Sequence, residues 1–180
     1  MSKILDFSTA AEATASQGST LVRPGTIDKF TVEKVEIKTV GEGDNAKDVA
    51  NVTFSSASGN LRESFFITQN ALPRIKHLLS QFLRKPFETQ MTYDQLVATL
   101  NGLEGTSAYL RVFGKLNTDK GTVYPNLPFG GFAGQTAEEL TWSAKEQAQL
   151  VDLQNTFDNY KPKKEGEDNV VSQTASNDIF

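Results

Sequence analysis

Cysteine is absent from the 180-residue chain, and histidine and tryptophan occur once each. Without cysteine there is no disulfide framework, no thiolate nucleophile and no thiolate-rich zinc site. The lone histidine, His77, leaves little material for acid–base or nucleophilic catalysis. No run of eighteen apolar residues exists, so no membrane-spanning helix is expected. Residues Met1 to Thr20 are polar and dotted with alanine instead of basic and then apolar, which is unlike a secretory signal. The expectation is a soluble, cytoplasmic protein without a membrane partner. With 38% hydrophobic and 22% charged residues, the composition suits one globular domain with tails.

The formal charge of −4 is unevenly spread. Glu165, Glu167, Asp168 and Asp178 lie in a C-terminal stretch that has no basic residue, and they account for the whole deficit. Between Leu21 and Gly134 there are thirteen Lys and Arg against eleven Asp and Glu. The sum therefore does not exclude a polyanionic partner.

Residues 1–20 have no sustained period and are expected to form a flexible N-terminal arm. From Ile27 to Val40 the sequence alternates, but the apolar phase slips between Val32 and Val35, so a bulge near Glu33-Lys34 is expected. Val49 to Ser56 and Leu61 to Thr68 read as two strands joined through Ala57-Ser58-Gly59-Asn60. The period then becomes 3.6: Leu72, Ile75, Leu78, Leu79 and Phe82 predict a helix that stops at Lys85-Pro86. Thr92 and Gln95 have capping-box spacing ahead of a second helix through Leu96, Leu100 and Leu103. Strands return at Ser107 to Leu116 and Thr122 to Tyr124. Pro125 to Gln135 reads as an irregular loop. Thr136/Glu139 and Ser143/Glu146 repeat the capping-box spacing before a last helix through Leu150, Leu153, Phe157 and Tyr160.

This order predicts a mainly β fold with α insertions. Five strands with helices between the third and fourth match an OB-fold, a five-stranded Greek-key barrel, with the C-terminal helix packed outside. The domain is expected over residues 21–160, followed by a disordered acidic tail over 161–180.

Catalytic candidates are thin. Glu42, Asp44 and Asp48 lack the spacing of a cation loop and read as a solvated turn. Gly130-Gly131-Phe132-Ala133-Gly134 has no following Lys-Ser/Thr and does not make a phosphate cradle. His77 reads as a surface or boundary histidine. No enzyme, cofactor or metal is expected.

Binding candidates are better defined. In the fourth strand Ala108, Leu110, Val112 and Gly114 fall on one face, and Tyr109, Arg111, Phe113 and Lys115 on the other. Aromatic rings that stack bases, interleaved with cations that follow phosphates, are what a single-stranded nucleic acid needs. The same alternation fits a face covered by a helix, with the cations emerging at its edges. In the third strand Arg62 and Phe66 share the face opposite Leu61, Phe65 and Ile67. An OB-fold binds mainly on its second and third strands. Tyr124 completes the set of Arg62, Phe66, Tyr109, Arg111, Phe113, Lys115 and Tyr124.

The acidic stretch ends in Asn177-Asp178-Ile179-Phe180. It resembles the C-terminal tails of bacterial and phage single-stranded DNA-binding proteins. The run Val49 to Leu83 and the segment Tyr124-Pro125-Asn126 to Gly134 are similar in character to phage-encoded OB-fold single-stranded DNA-binding proteins. The resemblance implies a non-catalytic protein of phage-type DNA replication and recombination in a bacterial host cell. It would coat single-stranded DNA by stacking and phosphate contacts, with its affinity for duplex DNA left open. Asp178, Ile179 and Phe180 would recruit replication enzymes. The alternative is an adaptor domain whose exposed aromatic face binds protein.

Overall fold

A computed structural model describes residues 21–86 and 90–160. The expected arm over 1–20 and the tail over 161–180, with Asp178, Ile179 and Phe180, lie outside the described residues.

The architecture is mixed α/β, built mostly from antiparallel strands, with seven strands and three α-helices among the described residues. Strand β1 (Ile27–Val40) is the organising element. Its second half pairs with β2 (Lys47–Ser56) and its first five residues with β4 (Ser107–Arg111). The register shifts between Val32 and Lys34, at the expected bulge. The extra residue brings both Val32 and Val35 to the buried side, 1% and 7% exposed. The loop before β4 satisfies the bulge's backbone: Val32 N–H donates to Thr106 O, Gly105 N–H to Val32 O and Val35 N–H to the Glu104 carboxylate.

β2 forms a hairpin with β3 (Gly59–Phe66), and β4 is flanked by the short strand β7 (Ala133–Gly134). The five-stranded sheet runs β3-β2-β1-β4-β7. β5 (Phe113–Asn117) and β6 (Thr122–Asn126) make a separate hairpin. The ladders do not close into a barrel. The expected fourth strand is thus two strands, because Val112 leaves the ladder: its N–H donates to Thr26 O, and its carbonyl accepts from Gly25 N–H. Pro24 packs so close to Gly114 that a Cβ there would lie 3.0 Å from the proline ring. β7 falls within the stretch expected to be an irregular loop.

Helix α1 (Leu72–Leu83) buries Ile75, Leu78, Leu79 and Phe82 on the predicted stripe, and Phe82 meets Phe54 of β2 at 5.6 Å between ring centroids. Arg84 ends it in the left-handed region. Helix α2 (Tyr93–Asn101) begins with the predicted Thr92/Gln95 capping box, and the Tyr93 hydroxyl ties it to Asp48. Helix α3 (Ala144–Asn159) begins with the Ser143/Glu146 box and packs on β5 and β6. Gln154 reaches Pro24 O, and Arg23 forms a two-point pair with Asp158. The Thr136/Glu139 spacing makes no capping box. Ala137–Glu139 is a single 3-10 turn, and the Glu139 carboxylate accepts from Gln135 N–H instead. No helix among the described residues is long and apolar enough to cross a membrane.

Candidate nucleic-acid interface

Alternation in β3 turns Leu61, Glu63 and Phe65 inward and Arg62, Ser64 and Phe66 outward. Cross-strand pairing extends the outward set into three rows, Lys38-Val49-Phe66, Glu36-Asn51-Ser64 and Lys34-Thr53-Arg62. Asn51, Ser64 and Thr53 put small polar side chains in the second and third rows, Val49 is buried in the middle of the first, and Lys34, Lys38 and Arg62 flank the face. Glu36 is the single acid in these rows. Its carboxylate lies 2.7 Å from Lys34 Nζ, 3.9 Å from Lys38 Nζ and 3.7 Å from Arg62 Nη2. Hydrogen bonding to Lys34, then the charges of Lys34, Lys38 and Arg62, hold it below the usual carboxylate range.

The row that ends in Phe66 opens onto a cleft of about 660 Å³. Lys47, Asn70, His77 and Phe132 line it, and Phe129 stands at its rim. Phe66 is 44% exposed and Phe129 is 89% exposed. A second hollow of about 420 Å³, lined by Phe113, Asn126 and Gln149, borders the same Phe129. Three aromatic side chains therefore follow one another across two hollows.

The loop that carries Phe129 is held by two arginines. Arg74 of α1 donates through Nη1 to Pro128 O (2.6 Å) and Phe129 O (3.1 Å), and through Nη2 to Leu127 O (3.3 Å). Arg111 at the end of β4 donates through Nη2 to Gly130 O and through Nε to Gly131 O, both at 2.7 Å. Each guanidinium is balanced by a carboxylate, Glu63 for Arg74 and Glu146 for Arg111, both at 3.0 Å. Each also lies against aromatic rings: Arg74 is 5.3 Å from the Phe65 centroid and 5.0 Å from that of Phe132, and Arg111 is 4.9 Å from that of Trp142.

Burial pushes the Glu63 carboxyl up, although the Leu127 amide and Arg74 pull it down. Glu146 is held low, first by the Ser143 amide of its capping box and also by Arg111. His77 accepts a hydrogen bond at Nε2 from Ala133 N–H, 3.3 Å away, and meets Phe132 edge-on. Burial, with Arg74 nearby, lowers its pKa. Its contribution to stability is therefore present above the ordinary imidazole range and lost as pH falls through the depressed value.

Of the seven residues expected at a binding surface, only Phe66 lines the Phe129 cleft. Arg62 stands exposed on the same sheet face, and Phe113 borders the second hollow while packing on Trp142 at 5.9 Å. Lys115 and Tyr124 are both exposed and face one another across the β5–β6 hairpin, and Tyr109 is half-buried beside Lys29. The expected common face of Tyr109, Arg111, Phe113 and Lys115 is divided, because the strand breaks at Val112 and α3 covers part of it. Arg111 is only 9% exposed, and its donors are engaged within the protein. For this residue the helix-covered arrangement is the one observed.

Phe129 and Lys47 were not among the expected site residues. The signal for Phe129 was an aromatic between Pro128 and Gly130. The nearby Phe132 carries a similar signal and is fully buried. No protein-family model matches the chain, and comparison with curated proteins gives no match.

Proposed function

We propose that the protein is a non-catalytic single-stranded DNA-binding protein of OB type that serves phage-like DNA replication and recombination. The observation that carries this reading is the pair Phe66 and Phe129, exposed on one cleft beside Lys47 and continuous with the Arg62 face. An exposed aromatic has little structural purpose in water, whereas every base offers a π-face for it to stack on. Lys34, Lys38, Lys47 and Arg62 would follow the phosphates. Support for the OB-type reading comes from β1, which is shared between β2 and β4, and from helices inserted between β3 and β4.

Titrating the purified protein into fluorescently labelled poly-dT at low and high salt tests the proposal. Saturable binding that weakens strongly with salt is expected. No binding at low salt, with capture of a protein ligand by the same aromatic patch, would favour the adaptor reading instead.

The Glu36 cluster adds a quantitative expectation. Glu36→Gln releases three cations from their shared counter-ion, so binding tightens roughly two- to fivefold at low salt, the scale of an exposed ion pair. The gain shrinks as salt rises. Unchanged or weaker low-salt affinity would mean that the DNA does not cross this face.

A further inference from the structure

We infer that Arg74 and Arg111 are positioning residues that act on single-stranded DNA through Phe129, and that Arg111 does not contact phosphate. This rests on the DNA-binding reading above. The carbonyls of five consecutive residues, Leu127 to Gly131, all accept from these two side chains. The gripped residues form no ladder with another strand. Their carbonyls, which water would otherwise satisfy, are held from below.

The residue at the centre of the gripped run is also the most exposed of the large apolar side chains among the described residues. Arginine suits this task because its planar fork carries five N–H donors in fixed directions. One guanidinium can therefore fix several carbonyls while still pairing with a carboxylate. Glu63 and Glu146 balance the charges, and the rings of Phe65, Phe132 and Trp142 fix the planes. Gly131 takes the left-handed conformation beside Arg111, 3.7 Å from Nη2 to an added Cβ. Holding the loop before DNA arrives removes an ordering cost from the binding step. Arg111, with its donors committed and 9% exposure, has no free edge to offer a phosphate.

The test uses Arg111→Lys, which keeps the charge beside Glu146 but loses the fork. Arg74→Lys is the parallel variant, and thermal melting confirms that each folds. The expected result is a roughly three- to tenfold loss of poly-dT affinity, with the salt slope unchanged. Because lysine keeps the charge, the phosphate question is put to Arg111→Gln: a lost phosphate contact would lower the slope by about 0.7, whereas a positioning role leaves it unchanged. In a cycle with Phe129→Ala, each Lys variant should add little to the loss already caused by removing the ring. Additive losses, or a shallower salt slope for Arg111→Gln, would overturn the inference.

A second readout does not depend on DNA. Chymotrypsin should cut after Phe129 slowly in the parent and several-fold faster in either Lys variant, because cleavage needs the loop to leave its grip. If Phe129→Ala binds DNA as well as the parent, the DNA-binding role of this ring fails. The protease rates then judge the clamp alone: faster cutting upholds it, and equal rates refute it.

Discussion

Phe129→Ala is expected to leave the protein folded and to weaken single-strand affinity by about 1–3 kcal/mol, the worth of one stacked base. At 89% exposure the ring contributes almost nothing to the core, so the unfolding free energy should change by no more than about 0.5 kcal/mol. The loss should be similar at low and high salt, since no charge is removed. Phe66→Ala should act in the same direction with a smaller effect, because more than half of that ring is already covered by the protein. Fluorescence anisotropy with a labelled dT oligonucleotide at two salt concentrations, alongside thermal melting, measures both quantities. If both folded variants bind as the parent does, these aromatics are not a stacking platform.

Replacing Arg74 with Met should cost about 3–5 kcal/mol of stability at neutral pH, since it leaves a buried carboxylate without its partner. Arg74 and Glu63 have side chains only 15% exposed, and Glu63 has one further donor, the Leu127 N–H. Such a loss is a large part of the 5–15 kcal/mol typical of a folded domain. The pH dependence identifies the cause. Glu63's pKa is raised in the folded protein, so the folded state takes up a proton more readily than the unfolded one, and its titration favours folding as pH falls. Without Arg74 the carboxyl rises further. The deficit should therefore be greatest at neutral pH and above, and should shrink on acidification through the carboxyl's raised range. His77 is lowered first by burial, which both proteins share. The smaller part owed to Arg74 is lost in the variant and also shrinks the deficit on acidification, so the same comparison in a Glu63→Gln background separates the two groups. Adding Glu63→Gln to Arg74→Met should restore part of the loss. Urea unfolding from pH 5 to 8 measures this, and a deficit that grows on acidification would contradict the buried-carboxylate account.

Much of the local structure was legible in the sequence. The 3.6 period placed α1, the spacings Thr92/Gln95 and Ser143/Glu146 placed the starts of α2 and α3, and the phase slip between Val32 and Val35 placed the bulge in β1. Each of these signals is contained in a few neighbouring residues, where side-chain direction and backbone capping are local matters. The candidate site was legible only in part. Alternation correctly put Arg62 and Phe66 on an outward face, because β3 keeps an unbroken period of two.

What covers a face was decided elsewhere. The sequence could not show that Val112 leaves its ladder for Gly25 and Thr26, or that Glu146, 35 residues later, takes Arg111 from the surface. Nor could it distinguish Phe129 from Phe132, two aromatics in one glycine-containing loop. Only the approach of α1 and β4 to that loop places one ring in the core and holds the other out in water. Sequence by itself determined where the helices and most of the strands form and, where a period runs unbroken, which way their residues point. The tertiary structure determined which of those faces remain open, because burial depends on segments far apart in the chain, whereas periodicity and capping depend on neighbours.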